Sequence, residues 1–240
     1  STLFPYTTLF RSSYIHSCNQ RKWYVDNYLV PSLLEQGIDE NDVCVYNDTE
    51  RKGNLKSYIE SCHKAYDMWG PDVNVWHLQD DVIISRKFKE EVDLLEENCK
   101  LKVVCGFTTR YDDGRNPGEG PTLNHMWYSF PCIRITTTMS KEFANWCDTY
   151  LWRDNQFGFW HRHKKGDDYI FRIWIESYYP NERVLNLAPN LVDHIDFLLG
   201  GTVVNPQREA NGTLVRSLYW DDEDLVNELR ERIANDNSNR

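Results

Sequence analysis

The sequence predicts a single α/β domain with a mostly parallel central sheet flanked by helices. Three observations carry that expectation. Short runs rich in β-branched and aromatic residues alternate with segments of helical period along most of the chain. One of those runs, Val73-Asn74-Val75-Trp76-His77-Leu78, is apolar enough to lie in the middle of a sheet. The 240 residues, 40% hydrophobic and with nine Trp, are enough to cover such a sheet on both faces.

In chain order, residues 1–13 fit no periodic template. They resemble a translated sequencing adapter of the kind found in environmental assemblies, so a non-native leader is expected there. A strand is expected over Tyr14–Cys18. A helix follows over Arg21–Gln36, with Trp23, Tyr28 and Leu33 among its apolar positions, Gly37 as its stop, and a kink at Pro31. Val43–Asn47 is the second strand. The next helix carries Leu55, Tyr58, Ile59, Cys62, Ala65, Tyr66 and Trp69 at helical spacing and ends at Gly70-Pro71. After the strand at 73–78 come a helix over Ser85–Asn98 and a strand over Lys102–Phe107. This βαβαβαβ order predicts parallel strands joined by right-handed crossovers. Residues 108–130 form a connection longer than usual, and such connections are commonly functional. Ile133–Thr137 is a further strand, and a helix opens at Ser140. A basic-aromatic run, Phe157–Lys165, leads into a helix at Gly166-Asp167-Asp168. A last helix begins near Asp221, with Leu225, Leu229 and Ile233 on one face. The expected division is a leader over 1–13, a domain over 14–208 and a helical tail over 209–240.

Composition excludes several classes. No apolar stretch approaches the ~18 residues of a membrane span. The seven Cys are scattered and lack paired metal-ligand spacing. Several, including Cys18, Cys44 and Cys105, fall in expected strands, as small buried hydrophobes do in a reducing compartment. A cytoplasmic protein is therefore expected. Net charge is −10, from 27 basic and 37 acidic residues, which argues against a surface coated for polyanions.

The chemistry concentrates at Leu78-Gln79-Asp80-Asp81, where an apolar strand gives way to two adjacent acids. Ligands of open α/β sheets bind beyond the carboxyl ends of strands. Two carboxylates there repel each other unless a cation lies between them. Mg²⁺ or Mn²⁺ holding a diphosphate suits that need, because both prefer oxygen ligands and leave positions open for phosphate. The alternative is a solvated Asp pair capping a helix. A nicotinamide dehydrogenase would need a glycine-rich turn, and Ser17-Cys18-Asn19-Gln20-Arg21 contains no glycine. A metal-dependent phosphohydrolase or nucleotidyltransferase, and a non-catalytic nucleotide-binding module, stay open.

Gln79-Asp80-Asp81, Gly166-Asp167-Asp168-Tyr169 and Pro189-Asn190-Leu191-Val192-Asp193-His194 occur in the order and spacing of one family. Across residues 14–208 the chain resembles the GT-A-type glycosyltransferases, whose fold is a Rossmann-related nucleotide-sugar-binding domain. Gln79 departs from the pattern, since many relatives carry an acidic residue there. The resemblance implies a UDP-sugar donor and a divalent metal, Mn²⁺ or Mg²⁺. It implies that Asp81 and the late His194 ligate that metal. Asp80, next to Gln79, would reach the ribose or act on the metal through water. Asp168 is implied as the general base for transfer with inversion, with Asp167 beside it free to cap the helix. His16, Ser17 and Asn19 at the end of strand one, and Asp48 at the end of strand two, match positions that contact uracil and ribose. Arg21, Lys52 and Lys56 are nearby cations suited to phosphate or to plain solvation.

On the acceptor side, Trp160-His161-Arg162-His163-Lys164-Lys165 gathers cationic groups just ahead of the implied base, in a chain of net −10. Basic residues interleaved with aromatics grip phosphates and stack bases. Some phage glycosyltransferases modify hydroxymethylpyrimidines in DNA, and an environmental origin fits a phage. DNA carrying hydroxymethylcytosine, with the base flipped out of the duplex, is therefore the favoured acceptor over a glycan or a protein.

Overall fold

The computed structural model describes residues 13–50, 52–108, 122–124, 131–151, 167–199, 217 and 220–238. The expected leader up to residue 12, most of the long connection after Thr108, and the basic run Trp160–Lys165 lie outside the described residues.

The first third of the chain builds one half of a seven-stranded sheet. Strand β1 (Ser13–Cys18) is flanked by β2 (Val43–Asp48) and β3 (Asn74–Gln79), both parallel to it. β1 starts one residue earlier than expected, with Ser13 opposite Val43 and Trp76. Helix α1 runs through Lys22–Tyr24, a π turn over Val25–Leu29, and Val30–Glu35. The kink expected at Pro31 takes the form of that π turn. Proline lacks an N–H and its ring crowds the carbonyl four residues back, so the ladder widens just upstream. The helix ends on Gly37, whose φ of 82° is the left-handed conformation a C-terminal cap needs. Gly37 N donates to Leu34 O and Ile38 N to Leu33 O, and Ile38 packs with Leu33 in the core. Helix α2 (Asn54–Trp69) buries Tyr58, Ile59, Cys62 and Ala65 against the sheet, along the stripe its sequence period predicts.

The later strands join this part of the sheet out of chain order. Strand β4 (Val82–Ile84) leaves the main sheet, and α3 (Phe88–Asn98) leads to β5 (Val103–Cys105). After β6 (Thr122–Asn124), β7 (Cys132–Thr136) inserts antiparallel between β3 and β5. β8 (Val184–Asn186) runs parallel to β5, and β6 runs antiparallel to β8. Five of the seven strands thus point one way, a mostly parallel sheet. The expected simple succession of parallel neighbours differs at β7, because alternation of strands and helices fixes element type and not lateral order.

Helix α4 (Thr137–Trp146) is capped by Thr136 Oγ1, which accepts from Met139 N at 3.2 Å, and continues into a π turn over Cys147–Leu151. Helix α5 spans Asp167–Tyr178. Strand β9 (Val192–His194) pairs antiparallel with β4 in a separate two-stranded ribbon. Gly106 lets β7 approach: a Cβ there would meet Cys132 Sγ at 2.7 Å, and on the other side the Gly106 carbonyl accepts from Leu191 N at 2.8 Å. The last helix, α6 (Glu223–Ser238), is no loose tail. Val226, Leu229 and Ile233 share one core with Ile15, Tyr28, Trp76 and Val82. None of the seven cysteines forms a disulfide. No helix among the described residues is long and apolar enough to cross a membrane.

Candidate active site

The carboxyl ends of β1 and β3 lie side by side, with His16 opposite Gln79. Just past them, Cys18 N donates to Asp80 Oδ2 at 3.0 Å, so the end of β1 holds the first acid of the pair. The second acid is placed by the ribbon. Val82 is the register partner of His194, and Ile195 N donates to Asp81 O at 2.8 Å. That register brings His194 Nε2 to 3.2 Å from Asp81 Oδ2. Behind the imidazole, Asp196 Oδ1 is 3.3 Å from Nδ1. Tyr24 donates its hydroxyl to Val82 O at 2.7 Å, fixing the turn between the acids and β4.

Charges at the site are strongly coupled. Burial, and then the neighbouring Asp81, raise the Asp80 carboxyl to about 7, against the opposing pull of Arg21. Burial also disfavours ionised Asp81, but His194 foremost, with Arg21, outweighs it and holds Asp81 below its ordinary value. His194 rises to about 10: burial works against its charge, and Asp81 followed by Asp196 overcomes it. Arg21, expected as a phosphate contact or a solvated charge, is almost fully buried, with Nη1 donating to Leu199 O at 3.0 Å.

Asp167 is buried at the start of α5, whereas Asp168 is half-buried and accepts from Tyr169 N at 2.7 Å. Burial first, then Asp168 and also Asp81, raise Asp167 to about 7. The field of Asp81 therefore reaches the α5 start, and acids far apart in sequence occupy one electrostatic neighbourhood.

The positions assigned to the donor base divide. Asp48 is buried and accepts from Gly53 N at 3.1 Å, bracing the turn before α2. Asn19 is exposed and its Oδ1 accepts from Asn47 Nδ2 at 2.9 Å. Ser17 is buried, with Oγ donating to Cys18 O at 3.3 Å. His16 turns inward, its Nε2 lying 3.2 Å from His77 Nδ1 and 3.3 Å from Ser61 Oγ. Lys52 is held by Glu60 at 2.9 Å and Glu50 at 3.2 Å, and Lys56 is exposed. Gln79 is half-buried, and its backbone N–H donates to Pro131 O at 3.1 Å. The acceptor residues Trp160, His161, Arg162, His163, Lys164 and Lys165 lie outside the described residues. Asp196 was not anticipated; its position two residues after His194 is the only sequence signal it leaves.

A divalent cation fits the donor set at Asp81. Asp81 Oδ1 is buried and has no hydrogen-bond partner, an uncompensated acceptor that a cation would satisfy. Among the described residues no three His, Cys, Asp or Glu side chains form a closed metal cluster. An ion there would be held by Asp81 and His194 and would take its other ligands from phosphate and water, as Mg²⁺ commonly does.

No protein-family model and no curated protein matches the chain. Among solved structures it is similar to the inositol-1-phosphate CTP transferase from T. maritima, with a TM-score of 0.41 and 9% sequence identity over 76% of this chain and 86% of that one. At that distance the likeness carries no functional weight, and the chain's own geometry has to supply it.

Proposed function

We propose that the chain is a metal-dependent, inverting glycosyltransferase that moves a sugar from a UDP-sugar to an acceptor hydroxyl. The observation that supports this most is the 3.2 Å approach of His194 to Asp81, with Asp80 tied to the end of β1 beside them. These three side chains lie beyond the carboxyl ends of parallel strands, where α/β sheets bind nucleotides.

Asp81 and His194 would hold the cation, which when bound supplies Lewis-acid stabilisation of the departing diphosphate. Arg21 adds buried positive charge beside the Asp pair. Asp168 is assigned as the base that takes the acceptor proton as that oxygen attacks the anomeric carbon. Its half-buried position favours it over Asp167, which is enclosed. The bond to the diphosphate breaks as the new glycosidic bond forms, and no covalent nucleophile on the protein is required. The acceptor is proposed to be the hydroxymethyl group of a modified pyrimidine in DNA, on the strength of the basic run 160–165 in an otherwise acidic chain.

Thermal melts with UDP or UDP-sugars, with and without Mn²⁺, test the donor side. The nucleotide should stabilise the wild type only when Mn²⁺ is present, by mass action. Asp81→Ala should lose that shift and His194→Ala should weaken it; an Asp81→Ala protein with the wild-type shift would reject the metal site. Offering hydroxymethylcytosine DNA, unmodified DNA and free saccharides, then weighing the products, tests the acceptor. Acceptor-independent hydrolysis of the UDP-sugar within its diphosphate, giving UMP and a sugar phosphate, would instead favour a phosphohydrolase.

A further inference from the structure

The imidazole of His194 has a carboxylate from a different element beside each nitrogen, both at ion-pair distance, and Nδ1 makes no aligned hydrogen bond. Nε2 faces Asp81 at 3.2 Å, and Nδ1 faces Asp196 at 3.3 Å. Asp196 opens the short 3₁₀ turn Asp196–Leu198 and is only 4% exposed, so its carboxylate has little water to solvate it. The turn is itself pinned. Leu198 N donates to Ile195 O at 2.8 Å and Leu199 N to Asp196 O at 3.0 Å, while Leu199 O takes the Arg21 guanidinium at 3.0 Å. Arg21 begins the segment after β1, so the Asp196 turn and the Asp80 strand end are joined through one buried cation. Phe107 lies against the histidine ring, with centroids 6.3 Å apart. A ring flip would exchange nitrogen for carbon at both carboxylates, so the ring has one favoured orientation.

We infer that Asp196 is a positioning residue: it takes the Nδ1–H of His194, so that Nε2 is the nitrogen directed at the cation site. This rests on the metal-site assignment made above. A carboxylate behind a ligating imidazole fixes its tautomer and raises its basicity, and losing such a partner commonly weakens metal affinity ~10–100-fold. At 3.3 Å the present contact is a long ion pair, and polar contacts of this kind commonly tighten when a site is filled. Asp196 itself touches neither cation nor substrate in this scheme.

The test uses the full chain and Mn²⁺ as the probe. Mn²⁺ uptake is read by loss of the free-ion electron paramagnetic resonance signal, in the wild type and in Asp81→Ala, Asp196→Ala and Asp196→Asn. Exchange of the His194 Nδ1–H is followed in parallel by nitrogen-15 histidine spectra without metal. Asp196→Ala should bind Mn²⁺ ~10–100-fold more weakly and exchange its Nδ1–H faster. Asp196→Asn, whose amide oxygen still accepts from Nδ1–H, should recover much of both and provides a readout if the alanine variant does not fold. A purely structural role would lower the melting temperature and leave Mn²⁺ affinity and ring exchange at wild-type values, and that result would overturn the inference. If the wild type takes up no Mn²⁺, the metal-site assignment fails by itself. The ring-exchange comparison then decides whether Asp196 still orients His194.

Discussion

The amide of Cys18 donates to Asp80 Oδ2 at 3.0 Å, tying the end of the first strand to the first acid beyond the third. This bond turns Asp80 toward the end of β1, while Asp81 turns toward His194. Two adjacent acids thereby sit in opposite electrostatic situations, Asp80 raised to about 7 and Asp81 held below its ordinary value. Environment divides their roles, since one carboxylate near neutrality and one firmly ionised are easier to accommodate than two buried anions.

Stability should therefore decline on the alkaline side. Asp80 and Asp167, raised by burial and by their acidic neighbours to about 7, bind more protons folded than unfolded between about pH 4 and 7. Their contribution falls as pH rises through that window. His194, at about 10, contributes fully below its ordinary 6.5 and loses that contribution as pH climbs through about 10. His77 and His16 oppose them at low pH: burial lowers His77 to about 3, and burial and then His77 lower His16, so their contribution grows as pH rises and is complete above 6.5. Urea midpoints across pH should peak on the acid side of neutrality, and Asp80→Asn should flatten the fall above about pH 5. Stability that keeps rising from neutral to alkaline pH would contradict these assignments.

Asp168→Asn should fold normally, because Asn serves as well as Asp at a helix start. It should bind the donor and lose roughly 10²–10⁴-fold in transfer, the usual worth of a positioned base. Asp167→Asn is the paired control. If that variant is the inactive one and Asp168→Asn turns over normally, the base is the enclosed acid and the roles are exchanged.

Replacing Arg162, Lys164 and Lys165 with Ala should flatten the salt dependence of DNA affinity by about one unit of log–log slope per lost phosphate contact. Donor binding should be unchanged. A protein whose sugar goes to a saccharide or a polypeptide, and to neither form of DNA, would retain the transferase proposal and lose the DNA acceptor.

The final helix should behave as part of the core. Leu229→Ala should cost about 2–5 kcal/mol, as truncations of buried leucine do. Arg86→Ala, which removes the ion pairs to Asp222 and Glu228 at the surface, should cost about 1 kcal/mol or less. Equilibrium urea unfolding distinguishes the two; a negligible effect at Leu229 would mean that α6 is peripheral.

The elements legible in the sequence were those long enough to show a period. β1, α2 and β3 lie where the apolar spacing predicted them, and the acids beyond β3 were visible as a break in hydrophobicity. What escaped was three residues long or depended on tertiary pairing. β4 and β9 are too short to display alternation, yet their register is what brings His194 to Asp81. Arg21 reads as one cation among several, and only the carbonyl of Leu199 reveals that it is buried. His16 sits where a base contact was expected, but His77 and Ser61 draw its Nε2 inward, a partnership no local pattern encodes.

The antiparallel strand β7 between β3 and β5 has a kinetic consequence. β2, β1 and β3 are neighbours both in sequence and in space, so that half of the sheet can form from local crossovers. β5 has no partner made before it: its neighbours β7 and β8 both come later in the chain, β7 must also dock on β3, and β9 must still return to β4. Pairings that close long loops are the slow steps of folding. The Asp80–Cys18 contact belongs to the early half and the Asp81–His194 contact to the late one, so a partly folded chain would own half of the proposed metal site. Mn²⁺ added during refolding should then leave the early rate unchanged and act only on the last step.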